Sequence, residues 1–158
     1  RIQHAGVVLG YGGGAGHAHK YFPRYHPGYM KRLIATQNYS AVTAACLLVK
    51  KSLFNCVGGL NEKDLAVAFN DVDFCLRVQE EGVRNVYCAE AELYHHESVS
   101  RGLDHAPEKA ARFNKELSYL RTSWGRYISH DPAYSPNLTL KRENFSVKSK
   151  EEFSDNVK

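Results

Sequence analysis

The stretch "SAVTAACLLVKK", residues 40 to 51, constrains this chain more than any other. It is apolar nearly throughout up to its two lysines, too short to cross a bilayer and rich in β-branched and small residues. A run of this kind predicts a strand buried on both faces, central to a sheet. With short strands before and after it and helical patterns downstream, the fold class expected is α/β.

The flanking segments fit that frame. "HAGVVLG" predicts a short buried strand, and "YGGGAGHAHKYFPRYHPGY" a long mobile loop rich in Gly, His and Tyr. "SLFNCV" predicts a helical turn stopped by Gly58 and Gly59. "DVDFCLRVQEEG" predicts a helix with Asn70 as N-cap and Gly82 as its stop. "VRNVYC" and "AELYHH" predict two further short strands. "APEKAARFNKELSYLRTSWGRYI" predicts the longest helix, with Phe113, Leu117, Leu120 and Trp124 on one stripe. After Pro136 the chain turns polar, so residues 139–158 are expected to form a frayed or disordered tail behind a domain of residues 1–138.

Composition excludes several function classes. No run of about 18 apolar residues exists to span a membrane, and the first residues lack signal-peptide architecture. The net charge of +4 suits an anionic small molecule or a membrane surface and is low for a nucleic-acid binder. Cys46, Cys56, Cys75 and Cys88 contain no C-x-x-C spacing. Buried free thiols of a reducing compartment are expected, and the sequons at Asn38, Asn137 and Asn144 are then accidental.

Motif by motif, the familiar chemistries fall away. Gly10, Gly12 and Ala15 match the dinucleotide fingerprint formally, but Pro23 and Pro27 break the helix it needs, and no acid follows about 20 residues on. His96-Glu97 opens an H-E-x-x-H pattern that Ser100 ends. A G-x-S-x-G elbow is absent.

Two segments keep chemical content. In "FNDVDFCLR" the carboxylates of Asp71 and Asp73 point some 200° apart on a helix, so they cannot serve one pocket equally. Asp73 has Arg77 four residues on and is explained structurally. Asp71 remains at the helix N-terminus, where the dipole favours negative charge, and could take a proton from a hydroxyl. As a metal D-x-D the string is misplaced, because it opens a helix. In "YHHESVSRG", imidazoles can hold a divalent ion, while hydroxyls and a guanidinium can hold phosphate oxygens. If a strand runs through both histidines, only one of them can face the site.

Taken in order, "YSAVTAACLLVKKSLFNCVGGLNE", "AVAFNDVDFCLR" and "GVRNVYCAEAELYHHESVSRG" resemble the C-terminal half of family-2 glycosyltransferases with the GT-A fold, rhamnosyltransferase-like enzymes of bacterial cell-surface polysaccharide synthesis among them. The resemblance implies a mixed sheet flanked by helices and inverting transfer from a nucleotide-diphosphate sugar to a glycan or lipid-linked acceptor. It assigns Asp71 as catalytic base and His95 as a ligand of Mg²⁺ or Mn²⁺. Ser100 and Arg101 would contact the diphosphate, and Thr43 and Ala44 would line the acceptor side. Gly58 and Gly59 would turn the chain beneath the pocket, and Asn70, where many members carry Glu, counts with the substrate-binding residues. A nucleotide-binding half lies outside this sequence, so the isolated chain is expected to be inactive and to self-associate. A cytoplasmic location with peripheral membrane contact is expected, and no nucleic-acid partner. The competing expectation is a non-catalytic glycan-binding or partner-docking module that uses the aromatic-basic loop from Tyr21 to Tyr29.

Overall fold

Antiparallel pairing of very short strands, rather than one continuous sheet, organises the chain. The computed structural model describes residues 1–96 and 107–154. Strand β1 (Val7–Leu9) pairs antiparallel with β2 (Ala15–His17) in the register Val7↔His17, Val8↔Gly16 and Leu9↔Ala15. Strand β3 (Gln37–Tyr39) pairs antiparallel with β4 (Asn85–Tyr87), Asn38 opposite Val86. Helices α1 (Lys51–Cys56), α2 (Asn70–Glu80), α3 (Pro107–Ser129) and α4 (Lys150–Ser154) complete the order. The chain is therefore mixed α/β with small sheets, and the mixed central sheet does not form among the described residues.

Strand β1 divides the interior because successive side chains leave a strand on opposite faces. Val7 and Leu9 enter one core with Val42, Val72, Cys75, Leu76, Leu120 and Trp124. Val8 enters a second with Tyr11, Ala18, Tyr39, Tyr134, Leu138 and Phe145. Asp131, beyond the end of α3, joins them. Its buried carboxylate accepts from the Leu9 amide at 2.8 Å, the Ala133 amide at 2.8 Å and the Ser40 hydroxyl.

Helices α1 and α2 run close to their expected bounds. Gly58 and Gly59 (φ +79° and +70°) follow α1, and Gly82 (φ +76°) follows α2, all in the left-handed region that favours glycine. Asn70, however, is the first residue of α2 and not its cap, a place taken by Phe69 at φ +61°. The Asn70 amide turns back to the preceding loop. It accepts from the Asn61 amide at 3.0 Å and donates to the Leu65 carbonyl at 2.7 Å. Of the α3 stripe, Leu120 and Trp124 are buried, while Phe113 stays exposed and packs on Phe69.

Five further expectations are corrected. Residues 40–51 are not a strand: Ala41 makes a single bridge to Val7, Ala44–Cys46 form a 3₁₀ turn, and Leu48 is 99 % exposed. "AELYHH" is no strand either, and Leu93 and Tyr94 face outward. The Gly/His/Tyr-rich segment is loop only in part, since it supplies β2 and the buried Ala18 and His19. Residues 139–154 do not fray. Leu138 bridges Val147, Thr139 and Phe145 are buried, and α4 follows, because Phe145 finds His19 and Tyr29 to stack on. The four thiols are free, but only Cys75 is buried.

Candidate active site

Three consecutive backbone amides explain why the apolar run fails as a strand and what it does instead. The N–H of Val42 donates to Cys75 Sγ at 3.5 Å, that of Thr43 to His4 Nε2 at 3.3 Å, and that of Ala44 to Asp71 Oδ2 at 3.1 Å. Extended backbone alternates its donors, so Val42 and Ala44 reach α2 while Thr43 reaches the opposite side. Asp71 and Cys75 lie four residues apart on α2 and share that face. Donors that a sheet ladder would use are thus consumed by side chains, and the segment becomes one wall of a polar site.

Asp71 is half-buried at the N-terminal turn of α2, with Oδ1 accepting from the Val72 amide at 3.0 Å and Oδ2 from Ala44. Both oxygens keep lone-pair capacity for a further donor. Asp73 is used up. It is 3 % exposed, accepts from the Trp124 indole at 2.8 Å and from Arg77 Nε at 2.9 Å, and forms an ion pair with the Arg77 guanidinium.

Behind Thr43 stands a histidine pair whose two members the sequence does not bring together. His4 Nδ1 lies 3.0 Å from His17 Nδ1, and the rings meet edge to face at 5.2 Å. His4 Nε2 faces the amides of Gly6 and Thr43, both at 3.3 Å, so it must be the unprotonated nitrogen. The proton then sits on Nδ1 and is donated to His17. Burial, and next the neighbouring His17, push the His4 pKa down to about 3, which keeps the ring neutral as this geometry requires. Spacing could not reveal His4, which is distant in sequence from Thr43. His17 belongs to "GHAHK", where it looked like a loop residue.

The remaining expected site residues are dispersed. Gly58 and Gly59 line an open hollow of about 770 Å³ with Asn61, Asp73, Arg77 and Tyr119, and Asp71 is not among its walls. Asn70 is committed to the 61–65 loop. His95 and His96 are both exposed and, with no strand through them, the alternation that would put only one of them in the site does not apply. Ser100 and Arg101 lie outside the described residues. Among the described residues no group of three or more His, Cys, Asp or Glu could hold a metal ion. There too, no helix is long and apolar enough to cross a membrane.

No family model matches the chain, and no solved structure does. It is 56 % identical over 149 residues to an uncharacterized protein of Sinorhizobium fredii, covering 94 % of this chain and 16 % of that protein. It is 37 % identical over 143 residues to O-antigen biosynthesis protein RfbC of Myxococcus xanthus, covering 88 % and 11 %. It is 34 % identical over 88 residues to N-acetylglucosaminyl-diphospho-decaprenol L-rhamnosyltransferase of Mycobacterium tuberculosis, covering 54 % and 28 %. The chain spans about a sixth of the first relative and less of the second. Its relatives thus include a protein named for O-antigen synthesis and one named for rhamnosyl transfer, which makes it similar to part of a glycosyltransferase.

Proposed function

We propose that residues 1–138 are the acceptor-side part of a GT-A-type inverting glycosyltransferase acting in cell-surface polysaccharide synthesis in the cytoplasm. The observation that carries this reading is the division of labour between two carboxylates. Asp71 sits at a helix N-terminus beside Thr43 and Ala44 with acceptor capacity to spare, while Asp73 is buried and fully engaged. In the reaction Asp71 removes the proton of an acceptor hydroxyl. That oxygen bonds to the anomeric carbon of a nucleotide-diphosphate sugar as the bond to the diphosphate breaks, with inversion. The Ala44 amide orients the carboxylate, and the neutral His4 holds the Thr43 amide, so both members of the wall stay in register.

Ser100 and Arg101 would meet the departing diphosphate. For the Mg²⁺ or Mn²⁺ expected from the resemblance, His95 stands next to His96 but belongs to no group of three or more His, Cys, Asp or Glu among the described residues, too few ligands for a divalent-ion site. Self-association of the isolated chain, with Leu48 wholly exposed, completes the proposal and is checked by light scattering.

The test is made in a longer protein that carries this segment. Asp71→Asn should lower the transfer rate by roughly 10²–10⁴-fold with Tm nearly unchanged. Asp73→Asn should lower Tm and leave more of the rate. The reverse pattern would sink the assignment.

A further inference from the structure

The acidic residues of this chain are unevenly placed. None of the 17 Asp and Glu lies in residues 1–61, which carry seven of the 21 Lys and Arg. The basic half also holds a prominent exposed loop, residues 20–34. Tyr25 is 86 % exposed, Met30 80 % and Ile34 57 %, with Tyr21 and Tyr29 also open to solvent. Lys31 is exposed beside Met30, and the Lys20 ammonium lies 5.1 Å from the centre of the Tyr21 ring.

This exposure is imposed from below. Buried His19 accepts the Tyr29 amide at 3.0 Å through Nε2 and stacks on Phe145 at 4.5 Å. Arg32 lies over the Tyr39 ring at 4.5 Å and bonds its hydroxyl, and Leu33 is buried. Tight turns close at His26→Pro23 and Arg32→Tyr29. Met30 and Lys31 both take positive φ, +49° and +64°, which residues with side chains rarely adopt. The loop is thus fixed with its apolar tips outward. The acid that reaches it from the segment after β4, Glu92, is already paired with Arg24.

We infer that the 20–34 loop docks the protein onto the surface of an anionic lipid bilayer. Met30 and Ile34 enter the acyl boundary, the tyrosines lie at headgroup level, and lysine ammonium groups meet lipid phosphates. A glycan gives an aliphatic thioether and an isoleucine nothing to bury against, whereas a bilayer does. The inference rests on this surface and not on the role of Asp71.

Co-sedimentation of the purified protein with phosphatidylcholine vesicles, with and without phosphatidylglycerol, tests it. Pelleting is expected only with the anionic vesicles and should fall as salt is raised. Lys31→Ala should lower partitioning about fivefold. Met30→Ser combined with Ile34→Ser should lower it roughly tenfold. Leu93→Ser, at an exposed apolar residue outside the loop, should change nothing, and all variants should melt like the parent. Equal pelleting with neutral vesicles, none with either, or equal loss in Leu93→Ser would overturn the inference. So would loop-dependent binding to a soluble polysaccharide without vesicle binding, which would make the loop a glycan surface.

Discussion

Asp73 and Trp124 show how one buried contact assigns roles to its neighbours. The indole N–H is the donor to Asp73 Oδ1, and Arg77 completes the other oxygen. Trp124→Phe keeps the ring but strands a buried carboxylate oxygen, so it should cost about 2–3 kcal/mol, measured by urea denaturation. Gly6 is a second sensitive position. At φ +97° a Cβ would stand 2.4 Å from the Tyr39 ring, whose edge is itself buried. Gly6→Ala therefore combines a strained backbone with a clash and should lower stability by more than about 1 kcal/mol. A Gly6→Ala protein as stable as the parent would contradict the packing described here.

At the scale of elements, α3 restrains the loop that leads into α2. Glu116 is buried at mid-helix, and its two oxygens accept from the Val67 and Ala68 amides at 3.2 and 2.8 Å, with Arg112 at 3.9 Å. Asn70 ties the same loop from its other end. Glu116→Ala should leave both amides without an acceptor, at a cost of about 2–3 kcal/mol. Hydrogen exchange should accelerate at Val67 and Ala68 more than in the body of α2. Uniform acceleration over α2 would mean that the helix, and not the loop, depends on Glu116.

For the molecule as a whole, two neutral histidines set the response to acid. His4 is pushed down to about 3 by burial and by His17, and His19 to about 4 by burial and by Arg32 and His26. Each folded-state pKa lies below the unfolded value of about 6.5. The stability that each contributes is therefore full above that value and is lost as pH falls toward 4 and 3. Stability should decline below about pH 6.5 with a slope of up to about 1.4 kcal/mol per pH unit for each proton taken up. Asp131, whose carboxyl burial raises, acts in the opposite direction at the acid end of this range. Urea midpoints between neutral pH and pH 4 should follow this course, and His19→Asn should flatten it. A midpoint independent of pH would show that neither ring gains a proton on unfolding.

Local chemistry was legible without the fold. Left-handed glycines stop α1 and α2 near their predicted ends, β1 and β4 form inside stretches predicted as strands, and Arg77 takes Asp73 one turn away. Each of these depends on residues close in sequence, whose geometry a backbone of given type dictates. Tertiary structure alone decided three other matters: that residues 40–51 form no strand, that residues 139–154 close the second core, and that His4 holds Thr43. An apolar run states that burial is favourable but not which neighbour supplies it, and strand preference is set largely by such neighbours. Here the amides of Val42, Thr43 and Ala44 met side chains from α2 and the N-terminal segment before any ladder could use them, so the most strand-like stretch of the chain became the wall of its candidate site.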